Sequence, residues 1–313
     1  METFGIAVTQ VAMLFVLIAI GFFLCKKEVL NDTVRQGVTT ILLDIVTPCV
    51  IISEMQAKRT HARMIGLAVA AGVYALYLVA AILLSRFLTI RQDNRATNRI
   101  CMVYTNCGFM GLPLLAALDE LVGGDALFYG SVIIAVNNLF IFTQGIAMFG
   151  EKSGFKGLLK RVLSPAVFSV FVGAALFFAG WTLPGVIGKP IEYLASMNTP
   201  LAMLMIGAIL CRSDIRRVFL DSRVFFPAAA RNLLFPLLFL GVIALAKRFF
   251  PLGDYAGQLM TCLIISACPV AGNAAIFSER YGGDSRLASG IFTLSTLFSA
   301  LTIPMIVTIA SGI

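Results

Sequence analysis

The sequence predicts an all-α integral membrane protein of ten transmembrane helices, built as two inverted five-helix repeats whose fourth and ninth helices are broken. Three observations carry that prediction. The first is composition. Of 313 residues, 59% are hydrophobic and 13% charged, about half the roughly 25% charge of soluble domains, and the mean hydropathy is +0.94. The second is that apolar runs approaching the roughly 20 residues needed to cross a hydrocarbon core about 30 Å thick follow one another along the whole chain. The third is that proline and glycine motifs of the first half return in order in the second. Together these exclude a soluble enzyme, a disordered chain, a disulfide-stapled secreted scaffold and a nucleic-acid module.

The spans are expected near 3–25, 36–54, 63–86, 99–118, 126–149, 163–181, 191–211, 224–246, 256–278 and 287–311. The first opens without a basic segment, and its apolar run is longer than a signal peptide's, so it is read as a retained helix. Lys26 and Lys27 close it. Of the 24 Lys and Arg residues, 17 fall in the loops after spans one, three, five, seven and nine. Six fall in the even loops, at Lys58, Arg59, Arg63, Lys189, Lys247 and Arg248. Basic residues collect on the cytoplasmic side, so the odd loops are placed in the cytoplasm and both termini outside. The net charge of +8 then follows from loop placement and calls for no acidic partner. The charge clusters EKSGFKGLLKR and RSDIRRVFLDSR read as solvated cytoplasmic loops.

The seven cysteines lie within or beside apolar runs, none with C-x-x-C spacing, and the sole histidine is His61. No metal site, disulfide framework or cofactor is expected.

The internal repeat is carried by three matches in order. Thr47-Pro48 in span two answers Thr199-Pro200 in span seven, so Pro48 and Pro200 are expected scaffold helix breaks. Pro113 in span four answers Pro269 in span nine. Gly123-Gly124-Asp125 answers Gly282-Gly283-Asp284. The repeats are residues 1–150 and 151–313, and because each holds an odd number of spans, the second is upside down relative to the first. In span four, Gly108, Gly111 and Pro113 fall within six residues; in span nine, Pro269, Gly272 and Asn273 stand together. Proline removes a backbone donor and clashes with the preceding turn, and glycine leaves helical geometry cheaply. Matched breaks of this kind are the best sequence pointer to a transport site.

A half-helix restarting near the midplane presents free N–H groups and a partial positive charge, which favour an anion, while the opposing C-termini favour a cation. Asn106 and Asn273 flank the breaks as candidate substrate contacts or helix caps. Asn137 and Asn138 in span five form a second polar cluster with Gln144, which helix packing alone also explains. Two charges lie well inside spans, Asp44 and Arg231. They are expected at similar depth, so they are candidates for a pair that forms and separates during a coupling or gating movement. The plainer alternatives are a helix-break cap for Asp44 and snorkelling to the headgroups for Arg231.

At TNCGFMGLPLL, from Asn106 to Leu115, the sequence resembles the auxin efflux carrier family. Further similarity lies in ARNLLFPLL, ACPVAGNAAIFSERYGGD and NTPLAMLMIGAIL, and covers nearly the whole chain. The resemblance, within the wider group of bile acid, auxin and arsenite transporters and nearest in type to bacterial malonate carriers, implies that broken helices four and nine cross. It implies a scaffold of spans one, two, six and seven and a transport domain of the rest. It implies that Asn106 meets a substrate carboxylate, with Gly108, Gly111, Pro113, Pro269 and Asn273 around it. The expected function is secondary or facilitative transport of small organic anions across the plasma membrane, a bacterial inner membrane, by alternating access. Expected partners are the anion, the lipid bilayer, protons as a candidate coupling ion and a second copy of the chain as a candidate dimer partner, with no nucleic acid. A sodium-coupled symporter of the bile acid type and a membrane receptor without transport are the alternatives. An intramembrane enzyme would need a cluster of His, Asp or Cys at membrane depth that the sequence lacks.

Overall fold

The computed structural model describes residues 2–150 and 165–312, residues 2 and 3 by backbone alone. The start of the second expected repeat and the basic loop at 151–161 lie outside the described residues. The fold is helical: α1 (Glu2–Lys26), α2 (Asp32–Glu54), α3 (His61–Leu88), α4a (Arg95–Val103), α4b (Cys107–Ala117), α5 (Ala126–Gly145), α6 (Pro165–Ala179), α7 (Gly185–Arg212), α8 (Ser222–Phe249), α9a (Ala256–Ala267), α9b (Ala274–Arg280) and α10 (Ser285–Ser311). Seven of these, α1, α2, α3, α5, α7, α8 and α10, are long and apolar enough to cross a membrane. The protein is therefore a multi-pass helical membrane protein.

Several helices run a turn beyond the apolar segments because polar residues cap them. Asn31 Oδ1 accepts from Val34 N at the start of α2, and Thr60 Oγ1 accepts from Arg63 N at the start of α3. Such caps satisfy backbone donors that a helix start leaves free.

Prolines shape the interiors. In α2, α4b and α8 a widened turn precedes the proline by two residues, closed by Thr47 N to Leu42 O, Leu112 N to Cys107 O and Phe235 N to Ala230 O. Pro48, Pro113 and Pro236 each lack a donor and crowd the carbonyl four residues back. The i→i−5 turn moves that carbonyl aside while keeping the chain helical. In α7 the helix is interrupted at Met197, just before Pro200.

The helices pair in a pattern that recurs with a shift of five. α1 packs on α7 as α6 packs on α2; α3 packs on α5 as α8 packs on α10; α3 meets α9a as α8 meets α4a. Glycine makes the first of these pairs close. A Cβ on Gly207 would stand 2.7 Å from the Phe22 backbone nitrogen, and one on Gly21 would stand 2.6 Å from the Leu204 Cα. Small residues let membrane helices approach backbone to backbone.

The two Gly-Gly-Asp motifs end up doing different work. Asp125 pairs with Arg63 (Oδ1 to Nη2 2.8 Å), whereas Asp284 Oδ1 caps α10 by accepting from Leu287 N at 2.9 Å.

Candidate functional site

Both interrupted helices open where they meet. α4a stops at Val103, and Tyr104 is extended. Asn106 N donates to Pro269 O at 2.8 Å, Ala271 N donates to Tyr104 O at 3.0 Å, and Thr105 lies opposite Val270 in an antiparallel bridge. The chain therefore passes the two breaks in opposite directions, and each break supplies the backbone partners that the other lacks. At membrane depth such groups must be satisfied inside the protein.

The matched prolines occupy unlike places. Pro269 lies within its break, and its ring drives Cys268 into the extended conformation that ends α9a. Pro113 instead sits inside α4b, directly after its widened turn, which moves aside the carbonyl that its ring would crowd. The first interruption thus falls at residues 104–106, ahead of the glycine and proline cluster rather than within it.

Asn106 is buried and caps α4b: its Oδ1 accepts from Phe109 N at 3.3 Å, and its carbonyl accepts from Met110 N and Gly111 N. Its Nδ2 is buried without a hydrogen-bond partner. Capping uses the amide's oxygen and leaves its donor free. Asn273 differs, since its side chain makes no cap; only its carbonyl serves α9b, accepting from Phe277 N. Beside Asn106, a Cβ on Gly108 would meet nothing within 4 Å, so open space adjoins the break there. At Gly111 a Cβ would stand 2.7 Å from Ile265 Cδ1, so Gly111 lets α4b pack closely on α9a, and Pro113 is buried.

Arg231 lies in the widened turn of α8 and is fully buried. Its Nη1 donates to Met102 O at 3.0 Å and Val103 O at 2.8 Å; its Nη2 donates to Tyr77 Oη at 2.7 Å and to Ser266 O. Met102 and Val103 end α4a, and Ser266 stands in the last turn of α9a. The guanidinium therefore satisfies carbonyls that both half-helices expose at their C-termini. Snorkelling is overturned by this burial. The expected meeting with Asp44 is not made in this structure, because the Asp44 side chain is exposed on α2 while the guanidinium is engaged at the crossing.

A polar network steadies the site. Tyr74 Oη donates to Asn137 Oδ1 at 3.2 Å and lies 3.3 Å from Thr105 Oγ1. Val270 N donates to Ser295 Oγ at 3.0 Å, and Asn232 Nδ2 donates to Ser295 O at 2.8 Å. Asn137 thus reaches the break through Tyr74, while Asn138 is half-buried on α5 and Gln144 is exposed. Tyr74, Tyr77, Asn232 and Ser295 were missed by sequence reasoning. Two tyrosines three residues apart in an otherwise apolar span were the available signal, because a buried phenol seeks a partner.

A cavity of about 530 Å³ opens between α2 and α7 on one side and α8, α9b and α10 on the other. It is lined by Arg35, Arg212, Arg217, Arg223 and Arg286, against Asp214 and Asp221, and it reaches Gly272 beside the second break. Arg217 pairs with Asp214 at 3.0 Å and Arg223 with Asp221 at 2.7 Å, a hydrogen bond that holds the Asp221 carboxyl below its ordinary range. Arg35 pairs with Asp32 at 3.4 Å and Arg212 with Glu28 at 3.4 Å, so of these five arginines Arg286 alone lacks an ion pair among the described residues, and it gives the cavity a small positive excess that favours anions.

Interrupted membrane helices, with the interruptions tied to one another beside a cavity, are the construction of membrane transporters. The family comparison agrees: the membrane transport protein family matches over residues 6–156 and 151–307. The chain belongs to that family, the auxin efflux carrier family that its motifs resemble. No curated protein matches it.

Proposed function

We propose that this protein is a secondary carrier of small organic anions, carboxylates in particular, working by alternating access. The observation that carries the reading is the Asn106 amide, whose buried Nδ2 has no partner at the start of α4b. A buried donor left unmatched is costly, and a carboxylate oxygen would satisfy it beside the positive end of a helix. The arginine-lined cavity supports the sign of the substrate.

In this reading residues 1–150 and 151–313 are inverted repeats in a plasma membrane, with both termini outside. α1, α2, α6 and α7 form the scaffold, and α3 to α5 and α8 to α10 move against it as one unit. The recurring helix pairings and the antiparallel crossing support the inverted repeat. The cavity lies between the two groups of helices and would face the cytoplasm. Coupling of protons through a pair of Asp44 and Arg231 is left out, because the two side chains serve separate places.

Uptake into proteoliposomes from a panel of labelled mono- and dicarboxylates tests the reading. Protein-dependent, saturable uptake of at least one carboxylate is expected. Uptake of neutral or cationic solutes with no carboxylate accepted would overturn it.

A further inference from the structure

A broken helix leaves its C-terminal carbonyls exposed, and half-helix C-termini in membrane transporters are places where sodium ions or protons are held. Here the carbonyls of Met102 and Val103 on α4a and of Ser266 on α9a converge on one point, and Arg231 fills it. Each helix C-terminus carries the equivalent of about half a negative charge. Two such ends therefore present about one negative charge, the match for one guanidinium. No carboxylate pairs with Arg231 among the described residues, although its side chain is fully buried. Burying a lone charge is normally prohibitive, so the paired C-termini must act as its counter-charge. The arginine also sits where α8 widens into an i→i−5 turn, which directs a side chain from a third helix between the other two.

We propose that Arg231 is a tethered cation occupying the place at the crossing that a free monovalent cation would otherwise take, and that removing the guanidinium opens a latent sodium site there. The inference rests on reading the crossing as the carrier's working site. Its test reads stability rather than transport, so a missing sodium response and a missing anion transport are told apart.

Thermal unfolding of the purified full-length chain in detergent, with sodium chloride exchanged for choline chloride at constant ionic strength, decides it. The parent is expected to melt at the same temperature in both salts. Arg231→Ser is expected to melt several degrees lower in choline, and to recover in sodium or in millimolar guanidinium. A merely structural loss would not respond to the identity of the cation. Arg231→Lys, which keeps a tethered charge, is expected to fold and to ignore sodium; it decides the case if the serine variant does not fold. Specific stabilisation of the parent or of Arg231→Lys by sodium would overturn the proposal. So would an Arg231→Ser variant that folds and responds to neither sodium nor guanidinium.

Discussion

The backbone N–H of Asn106 donates to the carbonyl of Pro269 across 2.8 Å, joining two breaks that lie more than 150 residues apart in the sequence. With the return bond from Ala271 N to Tyr104 O, it makes the crossing a short antiparallel ladder rather than two loose kinks. The crossing is therefore expected to move as one piece. Directly opposed antiparallel residues have Cα atoms roughly 4.5–5.5 Å apart, within the span a disulfide accepts. We expect Thr105→Cys with Val270→Cys, in a background with Cys107 and Cys268 replaced by serine, to cross-link under oxidation and to keep transport. Loss of transport on cross-linking, restored by reduction, would show that the ladder opens during the cycle.

The backbone contact between α1 and α7 rests on Gly21 and Gly207. We expect Gly207→Val to destabilise the protein by about 1–3 kcal/mol, the usual cost of overpacking, since the Phe22 backbone cannot give way as a side chain can. Gly37→Ala, where a Cβ meets nothing within 4 Å, is the control. Thermal unfolding of both variants in detergent checks this, and equal stability would remove the close-packing argument.

Asp44 was legible in the sequence as an unusual intramembrane acid, but the helix turn around Pro48 presents it outward. We expect Asp44→Asn to retain the parent's pH profile of transport and to change stability by no more than about 0.5 kcal/mol. A flattened pH profile would restore Asp44 to the coupling mechanism.

The cavity arginines should act on encounter rather than on the bound state. Arg286 is exposed at the start of α10, with no ion pair among the described residues. We expect Arg286→Glu to slow carboxylate uptake at low ionic strength and to weaken its salt dependence, because salt screens charges separated by more than about 10 Å at 0.1 M. Initial rates across a salt series measure this. An unchanged salt slope would place the anion's path elsewhere.

The all-helical membrane architecture was legible in the apolar runs, and the second break was legible because Pro269 acts locally. The place of the first break was not. Tyr104, Thr105 and Asn106 carry no proline or glycine; a partner strand from α9 holds them extended, and that is tertiary information. Asn106 could be picked out because an asparagine just before a helix restart has a mechanism, whereas the close approach of Ile265 to Gly111 depends on how α9a packs and has no local signal. Arg231 was read through charge alone, which points to an acid. Its partners are the Tyr77 hydroxyl and three carbonyls, which every residue has and no composition reveals. The arginines of RSDIRRVFLDSR read as solvated loop charges; only the convergence of α7, α8 and α10 makes Arg212, Arg217 and Arg223 line a cavity.

The central claim is that a substrate carboxylate takes the free donor of Asn106. Counterflow in proteoliposomes, using whichever labelled carboxylate the parent transports, tests it by comparing the parent with Asn106→Ala. The account predicts a folded variant whose apparent affinity is weaker by roughly 5- to 150-fold, equivalent to about 1–3 kcal/mol. A correctly folded Asn106→Ala with the parent's affinity and rate would contradict it and leave Asn106 as a helix cap alone.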